Sequence, residues 1–177
     1  MTERLVKLCI APSMDGYISG PKGEIDWLGD PGEVGLDDFF ASVDTVLIGR
    51  KTYDWTKEMG HGAATPGKKT YVFTRSQDVP EDPDVEFVST DVVEFVGELR
   101  QQPGKHIWLM GGGELIASLL DANLVDEMIL GIHPIVLGDG VPLFPGSRPE
   151  RIGYELVSSE AFASGIIMAT YRRKSAD

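Results

Sequence analysis

Short apolar runs suited to buried strands alternate with stretches of helical period through the first two thirds of the chain. That alternation limits the possible folds more than any other feature. The runs are "RLVKLCIA" (4–11), "DTVLIG" (44–49), "KTYVFT" (69–74), "VEFVS" (85–89) and "HIWLM" (106–110). Between them, Leu36, Phe39, Phe40 and Val43 fall at i, i+3, i+4, i+7, as do Val92, Phe95, Val96 and Leu99. Asp91, with Glu94 three residues on, has the form of a capping box for the second of these helices, and "ELIASLLDANL" (114–124) reads as a third. Strands alternating with helices predict an α/β fold with a mostly parallel central sheet. The last third changes character. "VDEMILGIHPIV" (125–136), "YELVSSEAF" (154–162) and "SGIIMATYRRK" (164–174) read as strands, and no long helix separates the last two. An antiparallel hairpin is therefore expected to finish the sheet, with "SGIIMATYRRK" as its outer strand. The prolines of "VPLFPGSRP" (141–149) predict an irregular loop, and two long loops, 12–34 and 54–68, are candidates for function. A chain of 177 residues fits one domain, 1–177.

Three strand ends carry the chemistry. The first is "HIWLMGGGELI" (106–116), where a strand runs through Gly111, Gly112 and Gly113 into a helix. One glycine would make the corner; three suggest a ligand lying against bare backbone at a helix N-terminus. The spacing is neither the dinucleotide fingerprint nor a P-loop. The second is "VLIGRKTYD" (46–54), where Gly49 is followed by Arg50, Lys51 and Thr52 at the start of a helix. Cations there oppose the helix dipole and suit an anionic neighbour. The third is Thr74, Arg75 and Ser76, closing the strand of "KKTYVFTRSQ" (68–77). Ligands of open α/β sheets bind outside the carboxyl ends of strands, and a dinucleotide with an extra phosphate would use all three.

The charge balance, 16 basic against 28 acidic residues for a net of −12, argues against nucleic acid or an anionic membrane as partner. Cys9 is the single cysteine and reads as a buried strand residue, so neither a disulfide nor a cysteine metal cluster can be drawn. His61, His106 and His133 show no metal-ligand spacing, and no metal is expected. "MTERLVKL" lacks the apolar run of a signal peptide, which makes a cytoplasmic protein the expectation.

The segments "APSMDGYISGPKGEIDWL" (11–28), "VLIGRKTYD", "VFTRS" (72–76), "MGGGELIASLL" (110–120) and "LVDEMILGIHPIVLGDGVPLFP" (124–145) resemble, in order, the dihydrofolate reductase-like superfamily. The last is nearest to the reductase domain of riboflavin biosynthesis. The resemblance implies a three-layer α/β/α fold and NADPH as cofactor. Arg50, Lys51 and Thr52, after Gly49, would hold the adenosine phosphates, and Arg75, between Thr74 and Ser76, would favour the 2′-phosphate. Gly111, Gly112 and Gly113, with Glu114 and Leu115, would face the pyrophosphate and nicotinamide, and Ala11 would touch the nicotinamide. In the family the first two glycines are joined by a cis peptide.

On the substrate side, Asp15 and Trp27 lie in the loop that would lid the site. Asp37, beside the apolar face of the first helix as centred on Phe40 and Val43, is the candidate catalytic carboxylate. Lys22, Lys68 and Lys69 are the cations available to a phosphoribosyl group. The resemblance implies a homodimeric NADPH-dependent oxidoreductase of a small heterocycle, in the first instance the riboflavin-pathway reduction of a phosphoribosylamino-uracil. Dihydrofolate reduction and a non-catalytic NADP-binding dimeric module are the alternatives.

Overall fold

The computed structural model describes residues 3–29, 31–60, 65–146 and 151–174. Among these, eight strands form one sheet in the order β5-β4-β3-β6-β1-β7-β10-β9. They are β1 (Val6–Ile10), β3 (Val43–Gly49), β4 (Lys69–Phe73), β5 (Glu86–Val88), β6 (His106–Gly111), β7 (Glu127–Ile132), β9 (Tyr154–Ala161) and β10 (Ile167–Arg173). Every pairing from β5 across to β7 is parallel, and the hairpin of β9 and β10 then closes the sheet in antiparallel register. Strand β2 (Tyr17–Ser19) pairs separately with β8 (Val141–Pro142). The mostly parallel sheet and its terminal hairpin are as the sequence predicts.

The strands are apolar on both sides because helices cover both faces of the parallel part. On one face α3 (Val92–Gln101) and α4 (Gly113–Asp121) bury Val6, Leu8, Leu47, Ile107, Leu109, Ile116 and Leu119 completely. Each such side chain contributes roughly 1.5–3 kcal/mol by leaving water. On the other face α1 (Asp37–Ser42) packs Phe39 against Trp108 and Cys9, and α2 (Arg50–Glu58) packs Tyr53 against Ile48 and Val72. Asp91 caps α3, with Oδ1 accepting from the amides of Val93 and Glu94 at 2.9 and 3.0 Å.

Three expectations are corrected. Residue 54 does not begin a loop: α2 continues to Glu58 and stops where Gly60 takes a φ of 74°. The Arg50–Asp54 ion pair, one turn apart, supports that extra length. The first helix ends at Ser42, so Val43 belongs to β3 and not to the helical face. Strand β10 is not the outer strand: it lies between β7 and β9, and β9 is the edge. No helix among the described residues is long and apolar enough to cross a membrane. His61 and the end of the proline-rich loop, residues 147–149, lie outside the described residues.

Candidate functional site

The sheet order brings β4, β3 and β6 side by side, so the three strand ends singled out in the sequence are neighbours. Adjacent strands run about 4.8 Å apart, which places the ends within a span of ~10 Å. Gly49, paired with Phe73 across the sheet, is the N-cap of α2, and Gly112 is the N-cap of α4. Neither cap offers a side chain to the first-turn amides. Two nine-residue helices thus begin next to each other without a side-chain cap, the arrangement in which first-turn amides can serve an outside acceptor. A Cβ on Gly49 would sit 3.5 Å from the amide nitrogen of Gly112, which measures how closely the two corners approach.

The three glycines answer to three different demands. Gly111 has a φ of 132°, a backbone region open to glycine. A Cβ on Gly112 would meet Thr52 Oγ1 at 3.0 Å. A Cβ on Gly113 would meet the Pro142 carbonyl oxygen at 3.0 Å and Pro145 Cγ at 3.2 Å, so its space is taken by the chain itself. The peptide between Gly111 and Gly112 is cis. Leu115 is buried in the core beneath the sheet, so its side chain does not face the corner. Ala11 follows the end of β1, half-buried.

The cations divide into two kinds. Arg50 is a brace: Nε donates to both carboxylate oxygens of Asp54 at 2.7 and 3.0 Å, and Nη1 donates to the Asp78 carbonyl at 3.2 Å. It ties the segment after β4 onto α2, as does Asp82, which accepts from Tyr53 Oη at 2.9 Å and pairs with Lys57 at 2.7 Å. Lys51 and Arg75 are instead presented to solvent, with side chains 90% and 93% exposed. Both reach Glu114, at 2.7 and 3.0 Å. These contacts, the Lys51 hydrogen bond first, hold the Glu114 carboxyl below its ordinary value. Thr74 accepts the amide of Ser76 at 3.0 Å, and both residues line a shallow open pocket with Gln77, Val79, Phe87 and Ser89.

The substrate-side expectations fare less evenly. Asp15 is a loop staple. Its Oδ1 accepts from Ser13 Oγ at 2.7 Å and from the Leu137 amide at 3.1 Å, and its Oδ2 accepts from the Gly138 amide at 2.8 Å. The Ser13 hydroxyl first, then these amides, lower its carboxyl to about 2. Trp27 stands edge-on to His133 with centroids 5.4 Å apart, in the loop expected to form a lid. Asp37 is exposed in the first turn of α1. The buried residue of α1 is Phe39, and Asp37, two residues before it, stands about 160° from it around the helix. Lys68 caps the end of α1 by donating to the carbonyls of Phe40 and Val43 at 2.6 and 3.0 Å. Lys69 pairs with Glu86 and lies over the Tyr71 ring. Lys22 is exposed and remains the cation of that loop open to a phosphate. Burial pushes the Cys9 thiol up to about 12, in keeping with a strand residue and not a nucleophile.

Sequence reasoning missed two anchors of the loop. His133 accepts the Gly29 amide at Nε2, 3.3 Å away, and Nδ1 lies 2.8 Å from the Gly131 carbonyl, which puts the ring proton on Nδ1. Trp55 on α2 lies against Gly23, where a Cβ would be 3.4 Å from Cδ1. No local signal in the sequence marks either contact.

A parallel α/β sheet with a C-terminal antiparallel hairpin, and with glycine-capped helices and exposed cations at three adjacent strand ends, defines a dihydrofolate reductase-like protein. The chain belongs to the RibD C-terminal domain family, which matches residues 4–168. It is 37% identical to the YyaP protein of Bacillus subtilis (strain 168) over 97% of this chain and 96% of that one. It is 33% identical to dihydrofolate reductase type 6 of Proteus mirabilis over 68% of each chain. A crystal structure from Shewanella sp. PV-4, provisionally assigned to riboflavin biosynthesis, superposes with a TM-score of 0.84 at 29% identity, covering 97% of this chain and 99% of that one. These relationships put the chain among proteins of reductase type.

Proposed function

We propose that the chain is an NADPH-dependent reductase of a small nitrogen heterocycle or its attached ribosyl group, and that its activity is the riboflavin-pathway reduction of a phosphoribosylamino-uracil. The observation that carries this reading is the convergence of two helix N-termini that lack a side-chain cap with the exposed cations Lys51 and Arg75. Bare amides and cations suit the phosphates of a dinucleotide. The close approach of the Gly49 and Gly112 corners, with Gly112 so near α2 that a Cβ there would meet Thr52 Oγ1 at 3.0 Å, fits a ligand lying on the backbone.

In this reading the chain binds and orients; the cofactor supplies a hydride. The amides opening α2 and α4, with Lys51 and Thr52, hold the phosphates. Arg75 takes the 2′-phosphate. Gly111, beside Ile10 and one strand from Ala11, lets the ring system approach the sheet edge. The loop carrying Trp27, held by His133 and Trp55, excludes water over the acceptor. Asp37 is the carboxylate offered for the proton, and its exposure makes it the weakest member of the set.

The identity to a protein named dihydrofolate reductase supports a second reading, reduction of dihydrofolate. NADPH oxidation followed with the phosphoribosylamino-uracil and with dihydrofolate separates the two. Tight NADPH binding without turnover on either would make the chain a non-catalytic module and overturn both.

We further propose a homodimer. Strand β9 is an edge exposed along nearly its whole length, and Leu156, Val157 and Ile167 are 57%, 46% and 45% exposed. An uncovered apolar edge calls for a partner.

A further inference from the structure

Glu114 is an acid held between two exposed cations, Lys51 and Arg75. Its Oε1 accepts from Lys51 Nζ at 2.7 Å and its Oε2 from Arg75 Nη2 at 3.0 Å. The two cations come from different strand ends, one opening α2 after β3 and one following β4, and they meet over the first turn of a third element, α4. Packing does not force this meeting, because both cationic side chains are almost fully exposed and Glu114 is itself 66% exposed. Water was available to all three groups. What brings them together is charge: two cationic donors meet over the first turn of a helix, where the dipole favours an anion, and the Glu114 carboxylate bridges them.

We infer that Glu114 is a specificity-determining residue, an internal competitor that holds the anion position of the cradle and narrows the preference for phosphorylated over unphosphorylated cofactor. The inference rests on the reading of the cradle as a cofactor site. A phosphate monoester carries about −1.5 to −2 charge near neutral pH and displaces a carboxylate of charge −1. It does so at the cost of the two ion pairs and of a residual carboxylate nearby. A ribose hydroxyl has no charge with which to displace Glu114, and instead finds in it an acceptor, the service an acidic residue gives the ribose in other dinucleotide folds. Glu114 therefore weakens binding of the phosphorylated ligand and supports the unphosphorylated one.

The test is calorimetric titration of the full chain and of Glu114→Gln with adenosine 2′,5′-bisphosphate and with adenosine 5′-monophosphate. Exposed pairs are worth little individually, so the bisphosphate, which meets both Lys51 and Arg75, is expected to bind the variant roughly three- to ten-fold more tightly, with a smaller gain for the monophosphate, which meets Lys51 alone. The ratio of the two affinities widens. Equal or weaker bisphosphate binding by Glu114→Gln overturns the inference, because a residue that merely positions Lys51 and Arg75 would lose affinity when neutralised. Glu114→Ser, which cannot bridge the two cations, must change in the same direction. If the unaltered chain binds neither the bisphosphate nor NADPH, the cofactor reading itself falls, and this inference with it. Binding by the unaltered chain with no gain in either variant removes this inference alone.

Discussion

Gly112→Ala tests whether the corner between β6 and α4 must be bare. The added methyl would sit 3.0 Å from Thr52 Oγ1, about half an ångström short of an ordinary contact. Forcing a methyl into a filled space costs typically 1–3 kcal/mol. Thr52 is half-buried in the first turn of α2, and a helical threonine has a second favoured rotamer, so the cost belongs near the lower end, about 1 kcal/mol. For a chain of this size that lowers Tm by roughly 2–4 °C. Thr52→Ala removes the obstructing atom. The double variant should then regain most of the stability lost by Gly112→Ala, with a coupling on the order of 1 kcal/mol in a urea-denaturation cycle. NADPH binding should behave otherwise. The methyl projects between the two helix N-termini whether or not Thr52 is trimmed, so affinity falls in the single variant and stays low in the double one. Additive stabilities would refute the Thr52 contact. Unchanged NADPH affinity in Gly112→Ala would refute the claim that a ligand lies on this backbone.

Arg75→Ala should weaken NADPH about ten-fold and leave NADH nearly unchanged, since a charge-assisted contact of up to about 1.5–3 kcal/mol is screened at so exposed a residue; equal weakening of both cofactors in fluorescence titrations would place Arg75 elsewhere. Asp15→Asn should destabilise the chain near neutral pH. The folded Asp15 carboxyl lies at about 2 against an ordinary 3.8, so its stabilising effect is present above about 4 and is lost as pH falls through 2. The variant and the unaltered chain should therefore converge in thermal melts near pH 2, and a gap that persists there would show that the staple does not depend on the charge. Light scattering at micromolar concentration should give the mass of two chains, reduced to one by Leu156→Asp or Ile167→Asp; a one-chain mass from the unaltered protein would sink the dimer, and a two-chain mass in both variants would move the contact off the C-terminal hairpin.

The parallel sheet was legible because its strands are continuous apolar runs bounded by glycine and charge, the pattern of strands covered on both faces. Two of the strand ends were legible because three glycines exceed what one corner needs and because cations in the first turn of a helix oppose its dipole; the third was legible as a cation closing a strand. That they are adjacent was not legible, because strand order depends on which crossover passes which neighbour. Arg50, Lys51 and Arg75 looked alike in sequence, yet Arg50 is engaged by Asp54 and by the Asp78 carbonyl while the other two are free to meet Glu114. The first partner lies one turn away, but the second lies 28 residues away. Asp15 looked like a site acid because it is a carboxylate in a glycine-rich loop. Its partners, the amides of Leu137 and Gly138, lie more than a hundred residues on, and only the fold brings them to it.

The two halves of the candidate site therefore rest on different kinds of structure. The phosphate side is made of strand ends and helix starts, whose positions follow from ladder hydrogen bonds and a core of fully buried Val, Leu and Ile. The acceptor side, on the proposed reading, is made of residues 12–29, a segment whose only regular element is the three-residue β2. That segment is held at separate points: Asp15 on Leu137 and Gly138, Gly23 on Trp55, Trp27 and Gly29 on His133. Each tether joins it to a different part of the chain, to the loop after β7, to α2 and to the end of β7 respectively. A loop fixed this way has a definite shape that no local sequence rule encodes. On the proposed reading, recognition of the phosphates would be built into the common fold, whereas recognition of the acceptor would depend on the residues that the tethered loop presents. The proposed reading therefore expects the cofactor cradle to follow the sheet and the acceptor to follow the loop, and turnover on an aminouracil and on dihydrofolate decides which acceptor this loop takes.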